Sequence, residues 1–186
     1  SRYRLYWTQW HDRQGGIYES LLDGTEQTRL FTDVQWPNDI VYDQEMNRLY
    51  WCDGKTGSIE YYDFDIETRR IVHEDFIRQP YSMIVFEDQL YWTDWNRQTP
   101  KIEYSDLDGK HRNLLINTEI KLPNNLAIDY DRDELCWTDA GLERIECIHL
   151  MSLIRRVVYA QASYPFDLTV SHQNIYWTDW KTKTIH

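Results

Sequence analysis

The chain has 186 residues, of which 31 are acidic and 20 basic, so its formal net charge is −11 at pH 7. This acidity argues against a nucleic-acid-binding protein, whose binding surface would be basic, and no apolar run approaches the ~20 residues that span a bilayer. Aromatic residues make up 15% of the chain, including nine Trp and fourteen Tyr, which argues against disorder because disordered chains are poor in aromatics.

A five-residue motif, Leu-Tyr-Trp-Thr-Asp or a close variant, recurs along the chain. Its copies start 44, 41, 45 and 40 residues apart, and a regular period of this length is typical of repeat architectures. A longer period overlies the first, because Trp10, Trp95 and Trp180 follow only the first, third and fifth copies. The five copies occupy residues 5–9, 49–53, 90–94, 135–139 and 175–179.

Each repeat is predicted to form four short strands. In one repeat these are residues 125–129, the motif 135–139, and segments near 144–148 and 155–159, all rich in β-branched or aromatic residues. Asp-Gly pairs at 23–24 and 108–109 suit the tight hairpin between the last two strands. The Asp that closes the motif is expected to cap the following turn by accepting backbone N–H bonds. No long segment has a helical period, so an all-β chain is predicted.

Four-stranded units of roughly 40 residues favour a β-propeller, whose blades pack face to face and use bulky aromatic side chains to fill the gaps between them. A sandwich with frequent Trp would not keep this spacing. Six blades need roughly 250 residues, so the chain covers about four to five blades. We therefore predict a single propeller domain over residues 1–186, incomplete at both ends, with a closed four-bladed ring as the alternative.

Three cysteines are present, at positions 52, 136 and 147. Cys136 and Cys147 fall on predicted neighbouring antiparallel strands, which brings Cβ atoms within reach of a disulfide; two buried free thiols are the alternative. Cys52 takes the Thr position of its motif copy and is interpreted as a buried structural thiol. The spacing of the three cysteines does not match a zinc site.

Signals of catalysis are weak. The six His residues lie in separate repeats without a metal-ligand or nucleophile motif, and the segment 54–57 lacks the leading Gly of a phosphate-binding loop. Acidic residues at 63 and 65, and at 131, 133 and 134, lack the spacing of a calcium loop and are interpreted as solvated hairpin turns. The chain is therefore predicted not to be an enzyme and to need neither a cofactor nor a metal.

Proline marks the loop that enters the first strand of each repeat. Equivalent loops of a propeller converge around its channel, and amides or aromatics on a stiff rim suit the capture of a peptide. The alternative is that these residues plug the channel or fill the gaps between blades. The predicted partner-binding residues are those after the prolines, Asn38, Tyr81, Asn124 and Phe166, together with Trp36, Trp10, Trp95 and Trp180.

The Tyr-Trp-Thr-Asp copies resemble the low-density lipoprotein receptor class B repeats, and the resemblance covers essentially the whole chain. Local detail is similar to the nidogen branch of these proteins, whereas the first half reads equally like the Wnt co-receptor branch, because Asn38 and Tyr81 depart from the nidogen pattern. The segments that resemble nidogens are 91–97, 100–103, 122–124, 136–141, 164–166 and 176–181.

The resemblance implies a six-bladed YWTD propeller in an extracellular protein, with a bridge between Cys136 and Cys147. It further implies a non-catalytic, secreted basement-membrane linker, whose propeller face binds an Asn-containing loop of a laminin EGF-like module. The alternative is the ectodomain of a lipoprotein or Wnt co-receptor that binds a secreted protein ligand. Neither reading implies a nucleic-acid partner, or membrane insertion by this segment.

Overall fold

The computed structural model describes residues 3–10, 15–172 and 174–186, and in these ranges the regular structure consists of β-strands. Each motif copy forms one strand, whose successive side chains alternate between the two sheet faces. The motif strands of blades 2, 3 and 4 are buried along most of their length; β5, for example, is buried at five of its six positions, whereas β1 and β17 are more exposed. The prediction of an all-β chain built of antiparallel propeller blades is confirmed. Within the described ranges, no helix is long and apolar enough to cross a membrane.

Contacts along the chain define two compact units, residues 1–83 and 84–186. The first unit contains two antiparallel sheets, here called blades 1 and 2, in the orders β1-β2-β3 and β4-β5-β6-β7, and β1 lies against β4. The strands of this unit are β1 (Arg4–Gln9), β2 (Gly16–Leu21), β3 (Thr28–Phe31), β4 (Pro37–Asp43), β5 (Arg48–Asp53), β6 (Ser58–Asp63) and β7 (Thr68–His73).

The second unit holds blades 3, 4 and 5, in the orders β11-β10-β9-β8, β12-β13-β14-β15 and β16-β17-β18; the first strand of blade 3 already begins at Pro80. Strand β12 lies against both β9 and β16. The strands are β8 (Pro80–Phe86), β9 (Gln89–Asp94), β10 (Lys101–Asp106), β11 (Asn113–Ile116), β12 (Pro123–Asp129), β13 (Glu134–Asp139), β14 (Arg144–His149), β15 (Arg155–Ala160), β16 (Pro165–Ser171), β17 (Asn174–Asp179) and β18 (Thr184–Ile185).

The strands predicted near 144–148 and 155–159 are therefore confirmed as β14 and β15, and the Asp-Gly pairs do lie in the hairpins that precede β3 and β11. Blades 2, 3 and 4 have four strands each, whereas blades 1 and 5 have three described strands. Five blades agree with the five motif copies. A single domain and a six-bladed closure stay predictions.

Each of the three four-stranded blades contains an ion pair over its motif Trp that the motif alone does not predict. In blade 2, the Arg69 guanidinium lies 5.0 Å from the Trp51 ring centre, and its Nε donates to Glu60 at 2.7 Å. Blade 3 repeats this with Arg112, Trp92 and Glu103, and blade 4 with Arg155, Trp137 and Glu146. The three indoles are completely buried. Cation–π contact and a charge-assisted hydrogen bond thus fix the outer strand against the Trp strand.

Cys136 and Cys147 are joined by a disulfide, as predicted, with their sulfurs 2.02 Å apart. The two residues are direct partners in the register of β13 and β14, so the bridge links strands that are already hydrogen-bonded. Cys52 is a buried free thiol, also as predicted, and burial raises its pKa well above the ordinary value.

Candidate functional site

In blades 2, 4 and 5 the Asp that ends the motif binds two loops at one end of the blade. In blade 2, Asp53 Oδ1 accepts the backbone N–H groups of Lys55 at 2.9 Å and Thr56 at 3.2 Å, in the turn after β5. Its carboxylate also accepts the N–H groups of Gln35 at 2.6 Å and Trp36 at 3.1 Å, in the loop before Pro37. The predicted turn cap is confirmed, and the same carboxylate also holds the proline loop.

Blades 4 and 5 repeat this arrangement. Asp139 accepts N–H groups from Lys121 and Leu122 before the proline and from Gly141 and Leu142 after the strand, at 2.8–3.0 Å. Asp179 accepts N–H groups from Tyr164 at 2.9 Å and from the turn at 181–182 at 3.0 Å. Burial alone would raise the pKa of Asp179, but these backbone hydrogen bonds outweigh it and hold the pKa below the ordinary value. The proline loops are therefore rigid supports for the side chains they carry.

Two of the predicted site residues, Asn38 and Asn124, form brackets between consecutive blades. Asn38 Nδ2 donates to the Pro80 carbonyl at 2.8 Å, and Asn124 Nδ2 donates to the Pro165 carbonyl at 2.7 Å. Asn38 is half-buried, and Asn124 is completely buried. Both side-chain amides thus donate hydrogen bonds within the protein, so we assign them the role of positioning the proline loops. Their contribution to partner binding stays a prediction.

A second bracket follows each of these Asn residues, and the sequence analysis did not identify it. Asp39 Oδ2 accepts hydrogen bonds from Ser82 Oγ at 2.9 Å and Met83 N at 2.8 Å, and Asn125 Oδ1 accepts from Leu168 N at 3.3 Å. The signal was present, because both residues stand two positions after the proline in their repeats. Together the paired side chains tie the first strand of one blade to the first strand of the next.

In the first unit, Trp10 and Trp36 form an exposed aromatic pair. Their ring centres lie 5.9 Å apart at an interplanar angle of 40°, and 52% of Trp10 and 37% of Trp36 are accessible to solvent. The Lys55 ammonium lies 4.7 Å from the Trp36 ring centre, so this surface combines apolar rings with a cation. Tyr81 is half-buried beside Pro80. Sequence reasoning predicted both Trp residues but missed Lys55.

In the second unit, Phe166 and Trp180 form a stacked pair with ring centres 4.4 Å apart at 15°. Tyr164 stacks on Trp180 as well, at 6.0 Å and 14°, and 63% of Trp180 is exposed. The loop bearing Tyr164 and the turn bearing Trp180 are the two segments held by Asp179. Trp95 is different, because it is half-buried and its Nε1 donates to the Pro123 carbonyl at 2.6 Å. Trp95 therefore supports the next loop.

One group of potential metal ligands occurs among the described residues, formed by Glu134, Cys136 and Cys147. It cannot bind a metal through its sulfurs, because the disulfide leaves no thiolate. Glu134 has a protein partner in Arg156, whose Nη2 donates to it at 2.5 Å. The acidic turn at 63–65 is likewise occupied, since Asp63 Oδ1 accepts the N–H groups of Asp65 and Ile66, and the Arg48 hydrogen bond is the main cause that lowers the pKa of Asp63. These groups are structural.

Comparison with known proteins gives a matching family model and several similar relatives. Residues 88–130 match the family model described as low-density lipoprotein receptor repeat class B. The chain is 35% identical over 98% of its length to a nidogen of Drosophila melanogaster, of which it covers 14%. It is 29% identical over 97% of its length to the low-density lipoprotein receptor-related protein 5-like protein of Homo sapiens, of which it covers 72%. The chain thus spans a small part of the nidogen relative.

Among solved structures, a crystal structure of a nidogen/laminin complex superposes with a TM-score of 0.89 at 34% identity, covering 98% of this chain and 70% of the other. A structural genomics protein of unknown function from Bacteroides thetaiotaomicron superposes with a TM-score of 0.72 at 14% identity. The second likeness concerns the fold alone. The likeness to the nidogen/laminin complex concerns both fold and sequence, and it extends over nearly the whole chain.

Proposed function

Because the chain belongs to the low-density lipoprotein receptor class B repeat family, we propose that it is a non-catalytic extracellular protein-binding module of the nidogen type, and that its partner is a laminin. Residues 88–130 match the class B repeat model, and the chain is similar over nearly its whole length to a nidogen and to a receptor-related protein. The observation that carries the proposal is the agreement in fold and sequence with the nidogen of the nidogen/laminin complex.

The aromatic clusters supply the chemistry of binding. Trp180, Phe166 and Tyr164 form one stacked group on loops held by Asp179, and Trp10 with Trp36 forms another. Exposed aromatic side chains on rigid loops bury a large area on binding and lose little conformational entropy. We propose that these rings contact the partner, whereas Asn38, Asn124 and Trp95 hold the loops in place. Tyr81 is assigned to the contact group of the first unit.

The partner segment proposed from the family resemblance is an Asn-containing loop of a laminin EGF-like module. An amide side chain on such a loop can exchange hydrogen bonds with the carbonyl and N–H groups of the proline loops while its neighbours pack on the rings. The buried Cys136–Cys147 disulfide fits an extracellular location, because such bridges persist in oxidising compartments. We propose secretion and residence in a basement membrane.

Direct binding tests this proposal. A recombinant laminin fragment of EGF-like modules is titrated against the 186-residue chain by surface plasmon resonance, with the same fragment carrying Ala in place of its loop Asn as the control. Saturable binding that weakens at least about tenfold in the control supports the proposal. No binding to the native fragment by a folded chain refutes it.

A receptor ectodomain is the second candidate, favoured by the human receptor-related relative, 72% of which the chain covers. Such a module would bind a secreted protein ligand of the lipoprotein or Wnt co-receptor class. Binding of that ligand class together with failure to bind laminin would decide for the receptor.

A further inference from the structure

One face of blade 5 is exposed at positions that are buried in blade 4. Cys136 and Ile145 of blade 4 are completely buried and pack against Leu168 of β16. Their equivalents in blade 5, at the same distances from the motif Asp, are Tyr176 and Ile185. Of these side chains, 46% of Tyr176 and 77% of Ile185 are accessible. Within the described ranges, blade 5 therefore exposes the apolar face that β16 covers in blade 4.

This face of blade 5 carries an open pocket of about 130 Å³. Its walls include the apolar Tyr176 and Ile185 and the polar Asp167, Thr169 and Thr178. An apolar pocket with a few polar groups at its border suits a ligand whose orientation is fixed by hydrogen bonds. The corresponding surface of blade 4 shows which ligand that is.

In blade 4, two polar side chains bind the backbone of the strand that covers them. Thr138 Oγ donates to the Phe166 carbonyl at 2.9 Å, and Asn125 Oδ1 accepts the N–H of Leu168 at 3.3 Å. The Thr138 hydroxyl also accepts the N–H of Asn125 at 3.2 Å. The bound groups belong to the residues one and three positions after Pro165. Thr138 and Asn125 thus hold a proline-led strand in a single register.

Blade 5 has the same pair of polar side chains. Thr178 and Asp167 stand at the positions of Thr138 and Asn125, and Thr178 Oγ accepts the N–H of Asp167 at 3.1 Å, as in blade 4. In the described part of the chain, no carbonyl accepts the Thr178 hydroxyl. Burial of its carboxylate raises the pKa of Asp167 above the ordinary value, so the ionised form would be stabilised by additional hydrogen-bond donors.

Blade 2 shows what a carboxylate at this position binds. Asp39 is the equivalent of Asp167, and its Oδ2 accepts hydrogen bonds from Ser82 Oγ at 2.9 Å and Met83 N at 2.8 Å. Ser82 and Met83 stand two and three positions after the proline of β8. Where the bracket is the amide of Asn125, the residue two positions after the proline is not a hydroxyl residue. Asp167 therefore predicts Ser or Thr at that position of its ligand.

We propose that this face of blade 5 binds the first strand of a further class B repeat, with the sequence proline, any residue, Ser or Thr, and a large apolar residue. The apolar side chain enters the pocket beside Tyr176 and Ile185. Asp167 accepts the N–H of that residue and the hydroxyl before it, while the Thr178 hydroxyl donates to the carbonyl of the residue after the proline. A closed propeller would place a strand here without specifying its sequence, whereas these two polar side chains specify it.

The apolar position of this sequence is buried wherever such a strand is seated. Three strands, β8, β12 and β16, begin with proline and carry a large apolar residue three positions later. The exposed fractions of these residues are 4% for Met83, 5% for Leu126 and 6% for Leu168. Burial of a Met or Leu side chain is thus expected to supply most of the binding free energy, and the hydrogen bonds are expected to supply the register.

A peptide that copies residues 79–86 of this chain tests the proposal, because it contains the proline, Ser82 and Met83. The peptide carries fluorescein and is titrated with the 186-residue chain, and its fluorescence anisotropy is measured. We expect saturable binding that weakens about tenfold when the peptide carries Ser82→Ala, since Asp167 then loses a charge-assisted hydrogen bond. A peptide of the same composition in scrambled order should not bind.

Two variants and a control of the chain locate the site. Asp167→Ala should weaken peptide binding about tenfold, and Ile185→Asp, which places a charge at the exposed pocket wall, should abolish it. Asp131→Ala removes the same charge from the exposed hairpin between β12 and β13 and should leave the affinity unchanged. Urea unfolding shows that each variant is folded.

Three results would overturn the proposal: no saturable binding to the native chain, equal binding of the scrambled peptide, or equal affinities of Asp167→Ala and Asp131→Ala. Laminin takes no part in this assay, so its outcome is independent of the proposed function.

Discussion

The side-chain amide of Asn124 donates a hydrogen bond of 2.7 Å to the backbone carbonyl of Pro165, forty-one residues away in the next blade. Asn124 is completely buried, and its Oδ1 is among the buried atoms without a hydrogen-bond partner in the described ranges. An Asn that the sequence suggested as a contact for a partner is thus a link between two blades. Its replacement should be measured first as a change in stability.

Asn124→Ala should lower the free energy of unfolding by about 1–2 kcal/mol, because the Pro165 carbonyl loses its donor. Asn124→Asp should cost more, about 3–5 kcal/mol, because it buries a carboxylate without a cationic partner. Urea unfolding followed by Trp fluorescence measures both, with the exposed Asn113→Ala as control. Equal costs for Ala and Asp would contradict the proposed amide–carbonyl bracket.

In blade 4, the contacts of Arg155 with Trp137 and Glu146 predict that replacing Arg155 lowers the free energy of unfolding strongly. Arg155→Ala leaves the carboxylate of Glu146, only 2% exposed, with one of its two Arg partners, and it uncovers the Trp137 ring. We expect a loss of about 2–4 kcal/mol in the free energy of unfolding. Arg155→Lys should recover only part of it, because Lys cannot bond Glu146 through two nitrogens.

The control for that series is Arg70→Ala on β7, since Arg70 is exposed and lies on the corresponding outer strand of blade 2. Its replacement should change stability by less than about 0.5 kcal/mol. If Arg155→Ala were as mild as Arg70→Ala, the repeated ion pair would have no stabilising role.

The features available from the sequence were those that recur at fixed spacing. The motif predicted the strands that carry its Trp and the Asp caps, because a position that recurs in successive repeats must satisfy the same local requirement each time. The pairing of Arg155 with Glu146 was not predicted, because it depends on the register of β14 with β15, which shifts between Ile145 and Glu146. The burial of Asn124 was missed for a similar reason, since its partner carbonyl belongs to the next blade.

Acid should destabilise the chain partly through Asp179. The folded-state pKa of Asp179 lies below its ordinary value, so the ionised carboxylate stabilises the fold at every pH above the unfolded pKa of about 3.9. This contribution is lost as the pH falls through the folded-state pKa. Urea unfolding between neutral pH and pH ~3 should therefore show a decline in acid that is shallower in Asp179→Asn. If the free energy of unfolding fell equally steeply with decreasing pH in the wild-type chain and in Asp179→Asn, this contribution would be ruled out.

The disulfide should stabilise the chain without determining the fold. It closes a loop of 11 residues between strands that already pair, so the double variant Cys136→Ala, Cys147→Ala should lose about 2–3 kcal/mol and keep its β circular dichroism spectrum. Cys52 gives an internal control, since its buried thiol should react with a thiol reagent only after unfolding. Loss of the fold in the double variant, or reaction of Cys52 in the native chain, would show that these roles are wrong.

The central claim is that the aromatic side chains at the proline loops and on the turns after the motif strands bind laminin, and affinity for the laminin EGF-like fragment in Phe166→Ala and Trp180→Ala tests it most directly. Leu114→Ala, which changes an exposed side chain on β11, serves as the matched control, with urea unfolding to show that every variant is folded. We predict that each aromatic variant loses at least about tenfold in affinity and that the control is unchanged. Wild-type affinity in both folded aromatic variants would contradict the account.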